Sequence, residues 1–194
     1  KYALKKFGCE TQDRDVSEIN VHPWYNFEQY RNDIAVLRLA DPVDITRNVG
    51  PVCLWNDIDD INEIEGELGT VVGWGFDHNK KLTTNLMQAQ MPVVDKNTCV
   101  NSNRELFLQF ITDQSFCAGF RNGTSVCNGD SGGGLVFPRR GTHGPNTIWQ
   151  IRGLVSIGVA LKTGGFCDTT QYTLFTDVAK HVDWIEDIVL SDNQ

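Results

Sequence analysis

The sequence has no run of about 18 apolar residues, so no segment reads as a membrane span. No basic stretch, short apolar core and small-residue cleavage site open it, so no secretory leader is legible. Lys1-Tyr2-Ala3-Leu4-Lys5-Lys6 instead begins in mid-domain style, and the natural N-terminus is expected upstream. Basic residues are in deficit, 17 against 25 acidic ones, giving a net charge of −8. Such a surface repels phosphates, which excludes a nucleic-acid partner. No two cysteines form a CxxC pair, which argues against a zinc ribbon or a thioredoxin-like redox site. Internal repeats and low-complexity linkers are absent too.

What remains is an ordinary globular composition, 40% apolar and 22% charged over 194 residues, enough for one medium domain or two small barrels side by side. Six cysteines stand at 9, 53, 99, 117, 127 and 167, an even count that reads as disulfides made in an oxidising compartment. Asn122-Gly123-Thr124 is a glycosylation sequon and agrees with export, so a secreted, extracellular protein is expected.

Short apolar runs bounded by Gly, Pro, Asn and Asp dominate: Ile34 to Leu39, Gly69 to Trp74, Met91 to Val94, Gly134 to Phe137, Trp149 to Ile157 and Tyr172 to Thr176. Their lengths and branched residues suit strands, and strands without intervening helical patterns suggest an all-β sandwich or barrel. The C-terminus differs: Val178, Val182, Ile185 and Val189 recur at helical spacing, with Thr176 or Asp177 as N-cap. Asn56 to Glu67, acidic and poor in apolar residues, reads as a surface connection between two halves, and Gly141 to Asn146 as a loop tip.

Gly129-Asp130-Ser131-Gly132-Gly133-Gly134 carries the chemistry. A serine hydroxyl is a weak nucleophile until a base takes its proton and dipoles stabilise the oxyanion that forms. Flanking glycines let the backbone fold tightly, so that the Gly129 and Ser131 amides can point at one oxygen. The segment is not a phosphate-binding loop, because the lysine and the GxxxxGK[ST] spacing are missing.

Cys127-Asn128-Gly129-Asp130-Ser131-Gly132-Gly133, followed by an apolar strand, resembles the active-site signature of the trypsin/chymotrypsin family of serine proteases. The likeness covers nearly the whole chain. Asn32-Asp33-Ile34-Ala35-Val36-Leu37 resembles the strand of the triad aspartate, Gly73-Trp74-Gly75 the family's central motif, and Phe116-Cys117-Ala118-Gly119 the stretch preceding the serine. The fold implied is a chymotrypsin-like double β-barrel with a C-terminal helix and an incomplete first barrel. Residues 1–60 would be the remainder of that barrel and the connection, 61–176 mainly the second barrel, and 177–190 the helix.

By the resemblance Ser131 attacks a scissile peptide carbonyl, the Gly129 and Ser131 amides bind the oxyanion, and Asp33 orients a histidine. Asp130 would pair with an N-terminal amine freed by zymogen cleavage. Disulfides Cys99–Cys117 and Cys127–Cys167 are implied, and Val52-Cys53-Leu54 resembles the segment tied to a pro-region or light chain. Cys9 has two options, the upstream segment or Cys53. No cofactor and no metal are implied; the partner is a protein or peptide substrate.

The family's Ala-Ala-His-Cys-like motif is missing from the 32 residues before Asp33. His22, His78, His143 and His181 each read as surface or packing residues, so the base is expected upstream and the isolated chain is expected to be inactive. Ser125, six residues before Ser131, matches the floor of the primary specificity pocket, with Ser156, Gly158 and Thr173 along its walls. That set favours uncharged side chains of small to medium size. Leu54-Trp55, the acidic connection and Asn122 to Asp130 also resemble arthropod modular zymogen proteases. The alternatives are an inactive homologue acting as an adaptor or binding module, and a β-rich adhesion domain, which fits the composition but not the ordered motifs.

Overall fold

The computed structural model describes residues 11–76, 81–83, 85–142, 144–161, 164 and 166–191. Cys9, His78 and His143 lie outside them. Two strands come first, β1 (Val16–Val21) and β2 (Ala35–Leu39), paired antiparallel as a sheet of their own. Val16, Ile19, Val21, Leu37 and Leu39 are all exposed on it. A short strand, β3 (Cys53–Leu54), then runs parallel to β8 (Trp149–Ile157) and leads into the acidic connection, which holds one 3-10 turn at Ile61–Ile64.

The rest is a barrel of six strands: β4 (Leu68–Gly73), β5 (Met87–Val94), β6 (Ser115–Ala118), β7 (Gly134–Pro138), β8 (Trp149–Ile157) and β9 (Thr173–Asp177). The order β8-β7-β4-β5-β6-β9 closes because β9 also pairs with β8, leaving no free edge in that ring. Period-two alternation fills it: Val71, Met91, Val93, Leu135, Phe137, Val155 and Phe175 point inward, with Phe116 stacked on Phe175. This is the expected double-barrel architecture with a partial first barrel.

Sequence reading placed a helix only at the C-terminus, yet two more precede β6. Helix α1 (Lys96–Ser102) is capped by Asp95, which accepts from the Thr98 amide, and α2 (Arg104–Phe110) by Asn103, which accepts from the Leu106 amide. They bury Cys99 and Phe107 against Cys117 and Leu174 on the outside of the barrel, and the Cys99–Cys117 disulfide fastens α1 to β6 with the Cα atoms 6.2 Å apart. Buried on both sides, β9 shows no alternation at all. The terminal helix α3 (Val182–Leu190) starts later than its apolar spacing suggested, because Asp177 is the last residue of β9 and caps a 3-10 turn at Val178–His181 instead.

The acidic connection is anchored rather than loose. Arg152 of β8 is fully buried, makes a two-pronged ion pair with Asp177 at 2.8 and 3.1 Å, and donates to the carbonyls of Ile58 and Asp59. Its guanidinium lies 4.7 Å over the Trp55 ring.

Candidate active site

Ser131 is exposed on the turn-rich loop between Val126 and β7. Gly129 has φ +98°, a conformation that a side chain would strain, and the Asp130 amide closes a turn on the Cys127 carbonyl at 2.9 Å. The Gly133 amide closes the next turn on the Asp130 carbonyl, also at 2.9 Å. These two turns leave the Gly129 and Ser131 amides with no hydrogen-bond partner among the described residues.

The Asp130 carboxylate lies against the backbone of Gly73 and Gly75. It accepts from the Gly75 amide at 2.8 Å and the Cys127 amide at 3.0 Å. Gly73 and Gly75 are required there, because a Cβ at either would coincide with the Asp130 carboxylate. A cavity of about 380 Å³ adjoins it, lined by Val71, Gly75, Gln88, Ser125, Val126 and Asp130 among others. Among the described residues no cation pairs with Asp130.

Asp33 and the serine loop are both tied to β8. The Gly132 amide donates to the Val155 carbonyl at 2.8 Å, docking the serine loop on β8. The register of β8 on β9 slips between Val155 and Ile157, so Ser156 sits in a bulge, a device that re-aims a side chain. Its Oγ donates to Asp33 Oδ2 at 2.6 Å. On the other side, Thr176 Oγ1 donates to the Asp33 carbonyl at 3.0 Å. Sequence reading set Ser156 on a pocket wall and did not assign its hydroxyl to the aspartate; Thr176 was not singled out as a site residue. The single serine in the apolar end of β8 and a hydroxyl in wholly buried β9 are the signal that could have marked both.

Neither described histidine reaches Ser131 or Asp33 with its ring. His22 is buried with its Nδ1 accepting from the Trp24 amide at 3.3 Å, and its ring meets His181 at 5.2 Å and Trp184 at 4.7 Å. His181 bridges the Asp177 carbonyl and the Asn32 side chain. Burial, with His181 as the smaller cause, holds the His22 ring below the ordinary histidine range.

Ser125 Oγ donates to the Val126 carbonyl at 3.1 Å and lies 3.4 Å from Thr173 Oγ1. Thr173 is buried in β9, whereas Gly158 is exposed, with open space where a Cβ would stand. The Cys127–Cys167 disulfide, Cα atoms 5.4 Å apart, ties the serine loop to the segment before β9. Asn122 is exposed, its Oδ1 accepting from the Thr124 amide at 3.1 Å. Cys53 is exposed and has no disulfide partner among the described residues. Among those residues no group of three or more His, Cys, Asp or Glu could hold a metal ion, and no helix is long and apolar enough to cross a membrane.

A closed six-stranded barrel, a partial first sheet and a Gly-Asp-Ser-Gly loop docked beside a buried-strand serine define a serine-protease fold. The Trypsin family model matches residues 2–185, and the chain belongs to that family. Limulus clotting factor C of Carcinoscorpius rotundicauda is 36% identical over 181 residues, 92% of this chain and 17% of that protein. Vitamin K-dependent protein C of Mus musculus is 32% identical over 198 residues, 97% of this chain and 40% of that protein. Chymotrypsin-C of Bos taurus is 33% identical over 198 residues, 95% of this chain and 67% of that protein.

Proposed function

We propose that the protein carrying this chain is a secreted serine endopeptidase that cleaves peptide bonds through an acyl-enzyme, with Ser131 as nucleophile and Asp33 orienting a histidine supplied from upstream of the chain. One observation carries the reading: the Gly132–Val155 bond and the Ser156–Asp33 bond bring the serine loop and the aspartate to the same stretch of β8. The Gly129 and Ser131 amides supply the oxyanion donors. His22 and His181 are committed to a buried cluster, so neither serves as base. An adaptor needs none of these groups in register. The test is turnover of a peptide substrate by the activated protein, which Ser131→Ala abolishes.

Two further elements belong to this reading. Asp130 is the acceptor for an N-terminal amine freed by cleavage of a pro-segment, which would enter the cavity beside its carboxylate and charge-pair with it. Cys53, exposed at the start of the connection, would join the chain to that pro-region or light chain. For specificity, Ser125 makes an uncharged floor, and Thr173, its Oγ1 3.4 Å from the Ser125 hydroxyl, partly fills the pocket from the wall. The residue cleaved after is accordingly uncharged and small to medium. Two disulfides and the exposed Asn122 sequon support export and glycosylation.

A further inference from the structure

His181 is 2% exposed, in the 3-10 turn after β9, and belongs to none of the motifs that mark the reaction. Its Nδ1 faces the Asp177 main-chain oxygen at 2.8 Å and its Nε2 faces Oδ1 of Asn32 at 3.2 Å. The Asn32 amide is oriented independently, since its Nδ2 donates to the Trp24 carbonyl at 2.9 Å. Asn32 Oδ1 can only accept, so this contact is made by a ring N–H on Nε2 of His181.

Asn32 is the residue before Asp33, it is buried, and its φ is +50°, a conformation uncommon for any residue with a Cβ. Its carbonyl accepts from the Ile34 amide at 2.8 Å, which makes a tight turn with Asp33 at the apex. The direction of the Asp33 side chain is thus set by the backbone of Asn32. Ser156 and Thr176 fasten Asp33 from the barrel side, while His181 and the Trp24 carbonyl fasten Asn32 from the other. An apolar ring would fill the His181 volume without needing two partners, so packing alone does not account for an imidazole there.

We infer that His181 is a positioning residue for the reaction, holding the Asn32 turn that aims Asp33 at the base. The inference rests on the role proposed for Asp33. The experiment uses the activated full-length protein, with kcat and KM referred to titrated active sites. His181→Phe and Asn32→Gly each lower kcat by about tenfold, the cost of a slightly misplaced catalytic group, and leave KM within about twofold. His181→Gln, which keeps a donor, recovers part of the loss. The double variant His181→Phe/Asn32→Gly is no worse than either single one, because both cut the same link. Glycine adopts the positive φ freely, so Asn32→Gly alone decides the matter if His181→Phe yields no titratable sites. Wild-type kcat in Asn32→Gly, or losses that multiply in the double variant, would overturn the inference. Asp33→Asn is measured beside them: if it is inert while Asn32→Gly is fully active, only this inference fails. If Asp33→Asn turns over like the wild type, the proposed role of Asp33 fails first.

Discussion

Ser156 Oγ donates to Asp33 Oδ2 at 2.6 Å across 123 residues of sequence, from a bulge in β8 to the turn before β2. A hydrogen bond to a charged group is worth about 1.5–3 kcal/mol, and each 1.36 kcal/mol is about a factor of ten in rate. Ser156→Ala should therefore lower kcat about tenfold or more with little change in KM, measured by steady-state hydrolysis. An unchanged kcat would mean that this contact does not matter to the reaction.

Arg152 and Asp177 form a pair with both side chains almost wholly buried. Removing one partner strands a buried charge, which costs about 3–5 kcal/mol, whereas replacing both with apolar residues restores much of the loss. Arg152→Met and Asp177→Leu should each lower the urea midpoint strongly, and the double variant should lie above either. It should not regain the wild-type value, because the Ile58 and Asp59 carbonyls lose their donor as well. Additive losses in the double variant would contradict a coupled pair.

Most of the barrel was legible in the sequence because turn residues bracket apolar runs: of the six strands expected, β4, β5, β7, β8 and β9 are five of the barrel's six, and β2 belongs to the first sheet. The strands β1, β3 and β6 were not expected. The apolar residues of β1 face solvent, β3 has two residues, and β6 is four residues long and buried almost throughout, so none offers a clean alternation. The helices α1 and α2 are seven residues each, too short for a periodic stripe, although Asp95 and Asn103 were readable as caps. Ser131 and Asp33 each stand in a local motif and were legible as candidates. Contacts that join positions far apart in sequence, such as Ser156 to Asp33 and His181 to Asn32, follow from the closure of β8 on β9 and from no spacing.

His22 should give the fold an acid-sensitive term. Burial and, secondarily, His181 lower the His22 pKa from its ordinary value of 6.5. As the pH falls through that value the unfolded chain takes up a proton before the folded one, so stability drops. His22→Asn keeps an acceptor for the Trp24 amide but cannot titrate in this range. Urea midpoints across a pH series should decline less steeply for the variant below 6.5. Parallel slopes would remove His22 from the acid response.

If Ser125 floors the specificity pocket as proposed, with Thr173 on its wall, an arginine head group would be buried without a counter-charge, a cost of several kcal/mol. A substrate library should show Leu, Met, Val or Ala favoured over Arg or Lys by about a hundredfold immediately before the cleaved bond. Ser125→Asp should raise relative cleavage after Arg. A profile led by Arg or Lys would refute the assignment of Ser125.

The central claim is that Ser131 is an activated nucleophile once the pro-segment is cleaved, and fluorophosphonate labelling with mapping of the modified residue tests it most directly. The account predicts stoichiometric label on Ser131 in the activated full-length protein. It predicts none in Ser131→Ala, little in the uncleaved precursor and none in the isolated chain, since the proposed base for the hydroxyl proton is supplied from upstream. Peptide hydrolysis by a preparation whose Ser131 stays unlabelled, or label carried by another residue, would contradict it.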